Sequence, residues 1–204
     1  AFAALFLFSG VMLGRQLADQ KQSAEAFDNI ADMVVDETEP DSTQHPEETG
    51  ETVHLVQREG SRIVYLDKVE SDRNAVRMVS RVGMVRDMPC TAVGKAILAS
   101  WGAGEIQDFW KRNPPQPVTA RTITDLGAFQ HELEVIRQRG FAVDREENEA
   151  GVCCVAAALR DESGRYTYAF SISAPAERMP EERLMRLGER LLFMRRQMEN
   201  GAEP

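Results

Sequence analysis

The sequence predicts an α+β fold: an antiparallel sheet with helices on its faces. Three observations carry that prediction. Residues 51–71, ETVHLVQREGSRIVYLDKVES, contain two alternating runs joined by a turn. Residues 152–173 repeat the arrangement with VCCVAAALR, a DESG turn and YTYAFSIS. Between the two pairs, apolar residues recur three and four positions apart. Short hairpins set consecutive strands side by side and antiparallel, and helices between them must then cover a face of the sheet.

Each element has a local reason. Val53 and Leu55 alternate with polar neighbours, Glu59-Gly60 makes the turn, and Ile63 and Tyr65 resume the alternation. AVRMVS at 75–80 reads as a third strand. Thr91 is placed to cap a small-residue helix from Ala92 to Ser100. GEIQDFWKR is a short helix stopped by Pro114-Pro115. Asp125 caps a longer helix whose Leu126, Phe129, Leu133 and Ile136 share one face, and Gly140 ends it. FAVD then opens a return to strands. Pro180 starts a last helix that carries Leu184, Leu187, Leu191, Leu192, Met194 and Met198.

The first 47 residues have another character. AFAALFLFSGVMLG is apolar and is followed by Arg15. As a helix it would span about 21 Å, short of a bilayer core of roughly 30 Å. Two readings stand: the remnant of a membrane anchor, with residues missing upstream, and a core helix or an incomplete signal segment. A polar helix with a thin apolar stripe follows to about residue 40. Then TEPDSTQHPEETGE has the composition of a linker. The expected organisation is an N-terminal helix over 1–40, a linker over 41–47 and a domain over 48–200. The N-terminal part weakly resembles the anchor and stalk of a class B sortase, but no sortase catalytic pattern follows it.

The 204 residues are 43% hydrophobic and 28% charged, with a net charge of −9. Such a surface repels nucleic acid unless basic residues cluster, and no long basic run occurs. Cys90, Cys153 and Cys154 are an odd set with two neighbours, unlike a disulfide framework. A reducing, cytoplasmic setting is the simpler expectation.

GETVHLV, then MPCTAVGKAILA, then GFAVDREENEAGVCCVAAALRDESGRYTYAFSISAP, from about Glu48 to Met198, resembles the effector-binding domain of IclR-family transcriptional regulators. The resemblance implies a GAF-like sensor fold that binds a small carboxylate or aromatic acid and works as a homodimer or tetramer. No cofactor and no resident metal are expected. In the family a winged helix-turn-helix precedes the sensor and reads DNA. The residues ahead of this sensor do not resemble one, so DNA contact is expected only through a partner domain or subunit. Membrane contact is expected, if at all, through residues 1–14.

The resemblance also assigns a pocket. Ala92 and Val93 match its positions at a helix N-terminus, where small side chains let a ligand approach backbone amides. Tight packing on the sheet would select the same residues. GxxxxGK spacing is absent around Lys95, so no nucleotide loop is read there. Ser171 and Ser173 share one strand face, with Phe170 and Ile172 on the other. They line the pocket, or they face solvent on an edge. Cys154 and Asp144 match a pocket cysteine and a pocket acid. Asp144 either accepts from a ligand or holds its loop by capping amides. Ala75 and Met78 match the apolar wall, and Val152 closes another side. Glu146 and Glu147 are expected to stabilise their loop or to face solvent.

Sensing without catalysis is the expected function. A cysteine hydrolase or transpeptidase is the alternative, and it would need a base beside a thiol. A zinc held by one cysteine and Asp144 is a lesser alternative, since neighbouring Cys153 and Cys154 face opposite ways. A dimerisation module with an empty pocket is the third reading.

Overall fold

The computed structural model describes residues 51–70, 78–161 and 163–200. The expectations for residues 1–47, and Ala75, lie outside them. Six strands form one sheet: β1 Thr52–Glu59, β2 Arg62–Val69, β3 Val85–Asp87, β4 Ala142–Arg145, β5 Val152–Arg160 and β6 Tyr166–Pro175. Their spatial order is β3-β2-β1-β6-β5-β4, and every pairing is antiparallel. Helices α1 Ala92–Leu98, α2 Ala103–Arg112 and α3 Leu126–Arg139 follow β3, and α4 Glu181–Asn200 closes the described chain.

The third strand is a correction. Residues 78–80 of the expected 75–80 strand are not in a strand, and β2 is flanked instead by the short β3. Lys68 explains how this segment is used. Its Nζ donates to the carbonyls of Met78 and Ser80, at 2.9 and 2.6 Å, so those carbonyls are bound by a side chain and not by a ladder.

Two apolar layers sit on opposite faces of the sheet. Phe170, Ile172, Val155, Cys153 and Val143 point to α4, which answers with Leu184, Leu187, Leu191 and Met194. Ala142, Ala156, Ala158, Ala169, Ile63 and Tyr65 point to α1, with α2 and α3 behind. The alternation of small alanines and larger residues along β5 and β6 thus separates a helix-hugging face from a bulkier one.

The caps fall where the residue types require them. Thr91 Oγ1 accepts from the amide of Gly94 at 3.1 Å, and Asp125 Oδ1 from that of Ala128 at 2.8 Å. Gly140 ends α3 in the left-handed region, at φ 87°. α1 is buried at all seven positions, because it lies between the sheet and α3. Among the described residues no helix is long and apolar enough to cross a membrane.

Candidate functional site

The face of the sheet that meets α1 is apolar except for one cluster. Strand pairing builds it in two rows. Asp144, Cys154, Ser173 and Thr52 are cross-strand neighbours along β4, β5, β6 and β1. Ala156, Ser171, His54 and Lys68 form the next row along β5, β6, β1 and β2. Ser171, Ser173 and His54 are each only 3% exposed. Solvent-facing serines are therefore excluded.

His54 is the centre of this cluster, a role that no local sequence pattern marks. Ser171 and Ser173 place their hydroxyls 3.4 and 3.3 Å from its Nδ1, and Ser80 Oγ lies 2.7 Å from its Nε2. Ser173 also donates to the sulfur of Cys154 at 3.0 Å. Tyr65 sets its ring edge-on to the imidazole, with centroids 5.1 Å apart. Burial, aided by the Lys68 charge, pushes the His54 pKa down to about 3, so the ring is neutral. A histidine on a strand is unremarkable until the register shows which hydroxyls face it.

The thiols are held protonated. Burial and then the charge of Asp144 push Cys154 well above the ordinary thiol range, and the same causes take Cys90 to about 12. A nucleophilic cysteine needs the opposite shift. Among the described residues no three His, Cys, Asp or Glu side chains gather as a metal site would need.

Asp144 does the second of its two expected jobs. Its Oδ1 accepts from the amide of Glu147 at 2.6 Å and so ties down the loop after β4. It is 2% exposed, and burial followed by the charge of Glu147 raises its pKa to about 7. Thr119 and Thr122 hold the same loop by donating to the carbonyls of Glu146 and Glu147, each at 2.7 Å. Glu146 sits at φ 64°, and its carboxylate accepts from the amide of Gly151 at 2.9 Å.

Glu147 corrects the solvent-facing alternative. It is 6% exposed and pairs with Lys95, which is fully buried. The Lys95 ammonium also donates to Val143 O at 2.6 Å and reaches Glu132 at 3.4 Å. Burial raises the Glu147 pKa in spite of this lysine.

The structure thus brings Ser171, Ser173, Cys154 and Asp144 onto one face. Ala92 and Val93, 2% and 4% exposed, belong to the apolar layer that Cys154 packs against. Val152 shares the parity of Cys154 at the mouth of β5 and is partly exposed. Met78 is partly exposed, its carbonyl bound to Lys68.

Comparison with known proteins gives a consistent picture. The family model described as bacterial transcriptional regulator IclR C-terminal matches residues 32–200. The DNA-binding transcriptional repressor YiaJ of Escherichia coli is 36% identical over 147 residues, covering 71% of this chain and 50% of that protein. The chain spans about half the length of the curated relatives it matches. The crystal structure of the Thermotoga maritima IclR superposes with a TM-score of 0.77 at 32% identity, covering 96% of this chain and 73% of that one. The inducer-binding domain of PobR from Acinetobacter, solved as a double mutant with 3-hydroxybenzoic acid, shares the fold with a TM-score of 0.65 at 20% identity, over 76% of this chain and 88% of that one.

Proposed function

This chain belongs to the IclR family of bacterial transcriptional regulators, through their C-terminal effector-binding domain, and from that premise we propose that it senses a small organic acid on the sheet face under α1. The observation that carries the reading is the buried cluster of Ser171, Ser173 and His54 inside an otherwise apolar layer. Ligand sites commonly set a few converging polar groups within apolar walls. The alanines of β5 and β6 on this face keep the walls low. Ala92, Val93, Val152 and Cys154 are its apolar and soft lining, Met78 its far wall, and Asp144 fixes the loop at its edge.

Sensing, not catalysis, is the proposed task. Raised thiol pKa values at Cys90 and Cys154 support it. The domain works as a homo-oligomer and passes the ligand's effect to a DNA-binding domain or subunit in the cytoplasm. A net charge of −9 favours leaving DNA contact to that partner. A ligand can signal only by binding two conformations unequally.

A thermal-shift screen of the chain against small carboxylates tests the reading. An acid at about 100 times its dissociation constant adds about 2.7 kcal/mol of stability. No shift with any aliphatic or aromatic acid would remove the proposal.

A further inference from the structure

His54 has hydroxyls at both ring nitrogens, from Ser171 and Ser173 on Nδ1 and from Ser80 on Nε2. A serine hydroxyl can donate or accept. This shell therefore suits neutral imidazole and imidazolium equally, by rotation of O–H bonds with no heavy atom displaced. Charged and titratable groups face the ring from several elements. β2 contributes the phenol Tyr65 and the cation Lys68, whose ammonium lies 2.7 Å from the carboxylate of Glu70 just beyond the strand. β5 contributes the thiol of Cys154, through Ser173, and β4 contributes Asp144 one strand further off. α1 contributes no free charge, because Lys95 is turned to Glu147. Glu51, immediately before β1, is engaged by Arg178 and Arg183. Among the described residues no carboxylate bonds the imidazole.

The hydroxyl shell can thus serve a protonated histidine as well as a neutral one, and among the described residues no carboxylate touches the ring to stabilise the cation. Resting on the acid-binding reading above, we propose that His54 meets the carboxylate of the effector and takes up one proton from solvent as it does so. The bound state is an imidazolium–carboxylate pair, the serines accepting from or donating to either partner. The acid stays ionised, and no covalent bond is made or broken. An opposite charge within about 4–6 Å favours the charged imidazole, which offsets the burial that keeps it neutral in the free domain. His54 then selects acids over their neutral amides, which cannot stabilise the cation. By linkage, affinity for the acid rises about tenfold per pH unit lowered, between the bound-state and free-state pKa of His54.

The test is calorimetric titration of the full chain with benzoate, pyruvate and glycolate, and with their amides, near pH 6 in two buffers of different ionisation enthalpy. Expected is binding of at least one acid with uptake of close to one proton, and no binding of its amide. Binding of an acid without proton uptake would overturn the role of His54 and leave the acid-sensing reading intact. Binding of none of the three acids, nor of any acid in the thermal-shift screen, would bring down both. His54→Gln is expected to abolish the uptake; uptake that persists in this variant would overturn the assignment and move the proton to Asp144. Nitrogen-15 spectra of the wild-type histidines, of which there are three, give the same answer if that variant does not fold. Expected is a change of one ring from the neutral to the imidazolium pattern on addition of the acid; an unchanged neutral His54 with the acid bound would overturn the proposal.

Discussion

Lys95 and Glu147 meet inside the protein, Nζ to Oε1 at 2.5 Å, with the lysine side chain fully out of water and the glutamate side chain 8% exposed. The pair ties α1 to the loop after β4. Breaking a buried pair leaves an uncompensated charge and costs about 3–5 kcal/mol, whereas replacing both partners by apolar residues can be nearly neutral. Lys95→Met and Glu147→Gln are each expected to lower the free energy of unfolding in urea by an amount in that range. Lys95→Met combined with Glu147→Leu should lose much less than their sum. Simple additivity would show that the pair is not a unit.

Gly94 makes the other fixed point of α1. A Cβ there would meet the backbone of Met88, including its carbonyl oxygen and Cα. Backbone cannot rotate away as a side chain can. Gly94→Ala should therefore destabilise by at least about 1–3 kcal/mol, the cost of overpacking a closed site. Gly104, in α2, has nothing near the position of an added Cβ. Gly104→Ala should stabilise by about 0.5–1 kcal/mol through helix propensity. Opposite shifts of melting temperature in the two variants check the packing argument.

Much of the fold was legible because its signals are local. The Thr91 and Asp125 caps, the Gly140 stop and the opposite facing of Ser171 from Phe170 each depend on residues within a turn or two of one another. The third strand was misplaced because AVRMVS has strand composition, while Lys68, on another strand, claims the carbonyls of Met78 and Ser80. The site was half legible for the same reason. Family resemblance marked the serines, Cys154 and Asp144, but the partner that organises them is 117 residues from Ser171. His54 acquires its meaning from register across β1 and β6, and no short-range pattern encodes that. The burial of Glu147 was hidden likewise, since it depends on a lysine 52 positions earlier.

Ser171 and Ser173 each stand within hydrogen-bond distance of His54 Nδ1, so neither hydroxyl is ornamental. Joint replacement by alanine removes two polar groups from the proposed ligand wall. Binding of an acid by the double variant should weaken by about 1–3 kcal/mol. Far-ultraviolet circular dichroism should remain that of the parent, because Ala169 and Ala174 show that the strand accepts alanine on both faces. Unchanged affinity in calorimetry would place the ligand elsewhere.

Asp144 and His54 make opposite demands on pH. The folded pKa of His54 is about 3, below the ordinary imidazole value of 6.5, so the unfolded chain binds more protons between those values. Its contribution to stability is present above pH 6.5 and is lost as pH falls toward 3. The folded pKa of Asp144 is about 7, above the ordinary aspartate value of 3.8, so here the folded chain holds the extra proton. Its contribution is present below pH 3.8 and is lost as pH rises through 7. Between pH 3.8 and 6.5 the two slopes oppose each other, each at most about 1.4 kcal/mol per pH unit. Removing one should expose the other. Relative to the parent chain, Asp144→Asn should gain stability with rising pH across this window, and His54→Gln should lose it. Urea midpoints measured at several pH values give both difference curves. Parallel curves for the parent and both variants would show that neither group changes its protonation on unfolding.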